Sequence, residues 1–285
     1  MNIEENKRTT LNILKFLLNF CDEHDLNYFM AYGSALGAVR HHGFIPWDDD
    51  IDIYMLREDY DKLLSYRDCF EGTDYKLINL DNTDNYYLKF SKIIDKRTTL
   101  WEQKSIPCLI GSFVDIFPLD NSIVGRQSYF KKWNVYNQLF ANYLLSISRY
   151  SFVDIVKMIK EKHFFQLIKL LPYAFSPLKT RNIKEELQKM EMSFKGSSGD
   201  YLLSYTSEFL EMFPKSWFSD YVLMRFEDID VRMPIGYVEY LTYMYGDYNK
   251  LPPIEKRIST HFHYYYNLSE SLTLSEVKKR IKNTR

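Results

Sequence analysis

The chain has 285 residues, enough to bury a substantial core either as one large domain or as a core with an insert. Its 37 basic and 38 acidic residues nearly cancel, so no global charge points to a nucleic-acid partner or a disordered acidic tail, and electrostatic recognition must be local. Cys21, Cys69 and Cys108 are too few and too far apart for a disulfide framework or a metal knuckle, while the absence of a secretory start and of any apolar run of about 18–20 residues predicts a cytoplasmic protein, at most peripheral to a membrane.

Leu11, Leu14, Leu18 and Cys21 recur at helical spacing and predict an amphipathic helix over 3–24. A short aromatic strand, Asn27 to Tyr32, then runs into Gly33-Ser34, followed by a helix from Ala35 to His41 and a loop through Gly43 and Pro46. After Asp48-Asp49-Asp50, the alternation of Ile51, Ile53 and Met55 with Asp52 and Tyr54 predicts a second strand. Arg57 to Tyr66 reads as a helix, and Tyr86 to Ile94 and Ser112 to Phe117 as strands, the latter ending at Pro118.

Between Arg126 and Lys195 the pattern changes to long helical periodicity, with 13 basic and 5 acidic residues. A linker-like segment closes it at 195–200, and strand, helix and loop signals resume from Glu227. The architecture expected is an α/β (α+β) fold: a mixed-sheet core flanked by helices and built from residues 1–124 and 200–285, with a basic helical insert at 125–199. The 24 Tyr and 20 Phe are expected mainly in the core.

The chemistry concentrates at Gly33-Ser34 and, 16 residues on, at Asp50-Ile51-Asp52. Residues i and i+2 of a strand share a face, so Asp50 and Asp52 aim two carboxylates at one point. Like charges held that close repel, and a hard divalent cation relieves them; Mg²⁺ takes one or two carboxylates together with phosphate oxygens. A glycine turn entering a helix supplies free amides for the phosphate itself.

The surrounding words, AYGSALGAVRHHGFIPWDDDIDIYMLREDYDKLL, then KIIDKRTTL at 92–100, VDIFPLD at 114–120 and YLTYMYGDYNKLPPIEKR at 240–257, resemble the LicD family. The resemblance implies a nucleotidyltransferase-type core that moves phosphocholine or a related phospho-alcohol from a CDP-linked donor onto a glycan or lipid-linked glycan. It implies a phosphate-gripping turn at Gly33 and Ser34, a metal pair at Asp50 and Asp52, and a third carboxylate on a neighbouring strand, for which Asp115 fits. One or two Mg²⁺ ions are expected there. Arg40, Lys92, Lys256 and Arg257 are the candidate cations for the diphosphate. Asp48 and Asp49 either support the site or stand in solvent. His261 belongs to a histidine word split as His261-Phe262-His263, and it is a candidate supporting residue. With His41, His42 and His263 it lacks a cysteine partner at zinc spacing, so no zinc is expected.

The resemblance leaves open whether choline, ribitol or glycerol phosphate is moved; a true nucleotidyltransferase is an alternative on the same scaffold, and a non-catalytic nucleotide-sensing or scaffold protein is a remote one. Residues 152–171 set Phe152, Ile155, Val156, Ile159 and Phe164 on one side with lysines around them. Such a helix either rests on an anionic inner leaflet or packs on the core.

Overall fold

The computed structural model describes residues 3–122, 126–150, 152–160, 177–195, 198–207, 209, 211–259 and 263–283. Helix α1 (Ile3–Glu23) leads into β1 (Phe29–Met30), α2 (Tyr32–His41), β2 (Asp52–Leu56), α3 (Arg57–Ser65), β3 (Tyr75–Ile78), β4 (Ser91–Asp95), β5 (Thr99–Trp101) and β6 (Phe113–Ser122). Three helices follow, α4 (Arg126–Ile147), α5 (Phe152–Lys160) and α6 (Pro177–Phe194). The chain then returns through β7 (Tyr201–Ser204), β8 (Glu211–Pro214), β9 (Tyr221–Phe226), β10 (Ile229–Pro234), α7 (Tyr237–Tyr245), β11 (Tyr265–Asn267) and α8 (Leu274–Asn283).

The main sheet runs β1-β2-β6-β4-β3, extended by β7 and β8 along the far end of β6. Among the described residues only β2 and β6 pair in parallel; their neighbours are antiparallel. The apolar stripe of α1, including Ile13, Leu14 and Leu17, is fully buried, and α1 packs against β4 and β6. Helix α3 packs beside it on β2 and β6. An aromatic cluster holds another part of the core, with Tyr54 at 5.1 Å from Tyr32 and Phe213 at 5.4 Å from Tyr240 between ring centroids. Two small ribbons complete the fold: β9 with β10, and β5 with β11, the latter joining Trp101 to Tyr265.

Three boundaries differ from those expected. Strand β1 is shorter, because the chain turns at Tyr32 with φ +43° and enters α2 there, placing Gly33 and Ser34 inside the first helical turn. Strand β4 starts at Ser91, after a stretch of turns. Strand β6 runs through Pro118 to Ser122. The Asp115 amide bonds toward β2 at the Ile51 carbonyl, so by alternation residue 118 presents its nitrogen to the other edge. There, pairing with β4 ends at Ile116 and pairing with β7 begins at Asp120. The missing proline N–H falls in that gap, where no ladder bond is lost.

Of the 152–171 segment, residues 161–171 lie outside the described residues. Within α5, Ile155 and Ile159 are 36% and 48% exposed, and Asp154 pairs with Lys104 at 2.6 Å. Among the described residues no helix is long and apolar enough to cross a membrane.

Candidate active site

The parallel pairing of β2 with β6 sets Asp52 directly beside Asp115, and the antiparallel pairing of β4 sets Lys92 on the other side of Asp115. The Lys92 ammonium donates to the Asp115 carboxylate at 2.5 Å and lies 3.1 Å from the Phe113 ring centroid. A lysine only 2% exposed is tolerable because that carboxylate compensates its charge. Lys92, expected as a cation for the diphosphate, is thus committed to Asp115.

Asp52 opens β2, and Asp50 lies just ahead of the strand. The Ile51 carbonyl still accepts the Asp115 amide at 2.8 Å, so the ladder persists between the two acids. Burial drives the Asp52 carboxyl well above the usual carboxylate range; Asp50, Asp115 and Asp48 add to the rise and Lys92 opposes it. Asp50, Asp115 and Asp48 are thus all near enough to act on the charge of Asp52.

The Gly33-Ser34 turn meets this cluster directly. The Asp52 amide donates to the Ser34 hydroxyl at 2.9 Å. A Cβ at Gly33 would stand 2.5 Å from an Asp48 carboxylate oxygen, so a side chain there would push that carboxylate aside. The turn is anchored from behind by residues beyond the insert. The Tyr32 amide donates to the Tyr240 hydroxyl at 2.9 Å. The hydroxyls of Tyr32 and Tyr54 donate to Glu211 Oε2 at 2.8 and 3.0 Å, and Ser207 joins Tyr32 at 2.8 Å. Burial raises the Glu211 carboxyl, while the hydrogen bonds from Ser207, Tyr32 and Tyr54 work against the rise.

The loop carrying the acids is clamped by α1 and by the C-terminal part of the chain. Asn6 donates to the Asp49 carbonyl at 2.8 Å, Lys7 to the Pro46 carbonyl at 3.0 Å, and the Ser259 hydroxyl to the Asp49 carboxylate at 3.1 Å. Asp49 is buried and, with Asp50 and His263, lines a small hollow under the loop. His263 stands 3.8 Å from Glu102. His261 lies outside the described residues. None of these clamps carries a local sequence signal.

Two candidate cations, Arg40 and Arg257, are near enough for one to act on the charge of the other. Arg40 donates to the Tyr248 carbonyl at 3.0 Å and to the His41 ring at 3.0 Å. Arg257 donates to the Pro252 carbonyl at 2.8 Å and covers the Trp47 ring at 5.6 Å. Burial pushes the Arg40 guanidinium below its ordinary range, nearby Tyr245 opposes this, and Arg257 is close enough to add to it. Tyr245 connects the two groups: it is 41% exposed, and its hydroxyl is raised by burial and then by Asp52, Asp48, Glu211 and Asp50. His41 is lowered by burial, then by Arg40 and His42. Lys256 is exposed at the end of a short turn.

Among the described residues, no three Asp, Glu, His or Cys side chains stand as a ready-made metal cluster. The donor chemistry nevertheless fits a hard cation, since the groups around Asp52 are carboxylates, burial and then those neighbours drive Asp52 toward protonation, and one buried lysine is the countercharge that opposes them.

The family model described as LicD/FKTN/FKRP, nucleotidyltransferase domain, matches residues 25–159, which carry the turn, the acids and their strands. The lipopolysaccharide cholinephosphotransferase LicD of Haemophilus influenzae is 28% identical over 279 residues, covering 94% of this chain and 99% of that protein. The chain is thus similar to the LicD family through the residues that carry the turn and the acids. Two uncharacterized proteins, of Rickettsia typhi and Rickettsia prowazekii, are 40% and 42% identical over 58 and 53 residues, about a fifth of each chain. The match to the full-length LicD relative extends past the family model, and so takes in the segment that supplies Glu211, Tyr240 and Arg257.

Proposed function

We propose that this protein is a LicD-type phosphotransferase that moves a phospho-alcohol, phosphocholine foremost, from a CDP-linked donor to a hydroxyl of a cell-surface glycan precursor. The acceptor oxygen forms a bond to the distal phosphorus, the bond from that phosphorus to the bridging oxygen breaks, and CMP leaves with the bridging oxygen. The observation that carries the reading is the convergence of Asp50, Asp52 and Asp115 with the Gly33-Ser34 turn. The H. influenzae relative, named for cholinephosphate transfer to lipopolysaccharide, supports the choice of group and acceptor.

Asp50, Asp52 and Asp115 are the residues to hold Mg²⁺, which when bound supplies Lewis-acid neutralisation of the donor diphosphate. The amides of the first turn of α2 face the same anion with the helix dipole behind them. Arg40 and Arg257 bind the outer phosphate oxygens, where a planar guanidinium makes paired hydrogen bonds. Asp50 or Asp115 takes the proton of the acceptor hydroxyl. Tyr245, at the rim, closes the site toward solvent. The exposed face of α5 is the part of the chain to meet an anionic membrane carrying lipid-linked acceptor.

The test is product analysis. Purified protein with Mg²⁺ and each of CDP-choline, CDP-ribitol and CDP-glycerol, supplied with a lipopolysaccharide acceptor, should release CMP with one donor preferred, and Asp52→Asn should abolish release while remaining folded. Pyrophosphate from CTP, with no CMP from any CDP-alcohol, would establish a nucleotidyltransferase instead.

A further inference from the structure

A cavity of about 180 Å³ lies between α3, the loop ahead of β4 and α6, and the proposed phosphotransfer centre does not use it. Asp52 opens β2 whereas Arg57 and Tyr60, which line the cavity, follow that strand's other end. At ~3.3 Å per residue this puts the Arg57 end of the cavity roughly 16 Å along β2 from Asp52. It is well below the ~300–1,000 Å³ of sites for drug-sized ligands, and its size suits a single ring.

Its walls combine rings with fixed polar groups. Tyr60, Phe90 and Tyr205 supply aromatic surface. Arg57, Lys89 and Lys195 face Asp61, Asp81 and Glu191, so the charges balance. Each group is held by the protein. Lys195 meets Asp61 at 2.6 Å, Gln188 donates to Asp81 at 2.5 Å, Lys89 donates to Asn137 at 2.5 Å, and Tyr136 donates to Glu191 at 2.8 Å. Arg57 is locked by two bonds to Asp120, at 2.7 and 2.9 Å.

A free phosphate or a free cation gains little from a lining whose charges cancel. A ligand whose every polar group both donates and accepts, and which has an apolar face to set against a ring, gains from all of it. Carboxylates offer about four acceptor positions and ammonium groups three donors, so capacity remains after the internal bonds are made. We propose that this cavity is a carbohydrate subsite, taking one neutral sugar ring of the acceptor. The word acceptor rests on the phosphotransferase reading; the affinity for sugar does not. Phe90 is the wall nearest the acids, since Lys92, paired with Asp115, lies 5.5 Å from its ring centroid.

Saturation-transfer NMR on the full chain decides the matter, using methyl glycosides of glucose, galactose and N-acetylglucosamine at about 10 mM, in the millimolar range where a single ring binds. At least one glycoside should give a saturable signal that neither inorganic phosphate nor choline displaces. Gln188→Ala should weaken that binding about tenfold, the loss of one or two hydrogen bonds, and Met192→Trp, which fills the cavity from an exposed position, should remove it. Asp52→Asn should keep the sugar signal, so the subsite stands or falls separately from the transferase. Silence from all three glycosides, displacement by phosphate or choline, or a signal unchanged in both cavity variants overturns the proposal.

Discussion

The Asp52 amide donates to the Ser34 hydroxyl at 2.9 Å, within a buried part of the chain, and so ties the first residue of β2 to the first turn of α2. Ser34→Ala leaves that buried N–H without its acceptor, a loss of roughly 1–3 kcal/mol. Thermal unfolding should show the loss in stability, and CMP release should fall further than the stability change explains, because the turn and the acid lose register together. A variant with wild-type turnover would sink this link.

Glu211 accepts from both Tyr32 and Tyr54, so its effect on the turn passes through Tyr32, whose backbone is held at positive φ. A double-mutant cycle on Tyr32→Phe and Glu211→Gln should give a coupling of about 1 kcal/mol or more, as expected for directly bonded neighbours. Tyr54→Phe serves as the partner variant on the opposite side of the carboxylate. Purely additive effects would show that the network does not act as one unit.

Glu191 titrates unlike the surface acids. Burial raises its carboxyl to about 7; a hydrogen bond from Tyr136 opposes this, Asp81 adds to it, and Arg57 and Tyr205 oppose it. The folded state therefore holds this proton to higher pH than the unfolded state does. Stability from this group is full below the ordinary carboxylate range, near 4.3, and falls as pH rises toward about 7. Glu191→Gln should flatten that part of the stability profile measured by denaturant melts.

Arg257 lies near enough to Arg40 to lower its guanidinium. Arg40→Lys should raise KM for the CDP-linked donor about tenfold with a smaller change in kcat, since an ammonium cannot reproduce the paired guanidinium contact. The double variant with Arg257→Lys should make binding more sensitive to salt. An unchanged KM in both would place the diphosphate elsewhere.

Ile155 and Ile159 are exposed one turn apart on α5. Flotation with anionic vesicles should recover the protein, and Ile155→Ser with Ile159→Ser should reduce recovery several-fold by removing apolar surface from the interface. Equal recovery from neutral vesicles, or no effect of the pair, would leave α5 without a membrane role.

What could be read along the chain was whatever repeats within a few residues. The spacing of Leu14 and Cys21 gave α1, and the alternation around Asp52 gave β2. The strand context of Val114 and Ile116 offered Asp115 as a neighbour, although only pairing could set it beside Asp52. Contacts made across long stretches of chain were silent. Ser259 against Asp49 and Trp101 against Tyr265 leave no periodic trace, because each is one side chain or one short strand meeting a partner far away. Lys92 shows the limit most plainly: its strand was readable, but its commitment to Asp115 depends on which strand lies alongside.

The frame that holds the turn and the acid loop draws on both ends of the polypeptide, from Asn6 to Ser259. A ribosome that has released only the first two hundred residues has therefore delivered Asp48, Asp50, Asp52 and Asp115 but not Glu211, Tyr240 or Ser259, the struts behind the turn and the acid loop. The acid loop and the turn reach their final support only when β7, β8 and the segments beyond them dock, and until then the end of β6 that pairs with β7 is an open edge that a chaperone or a neighbouring chain can reach.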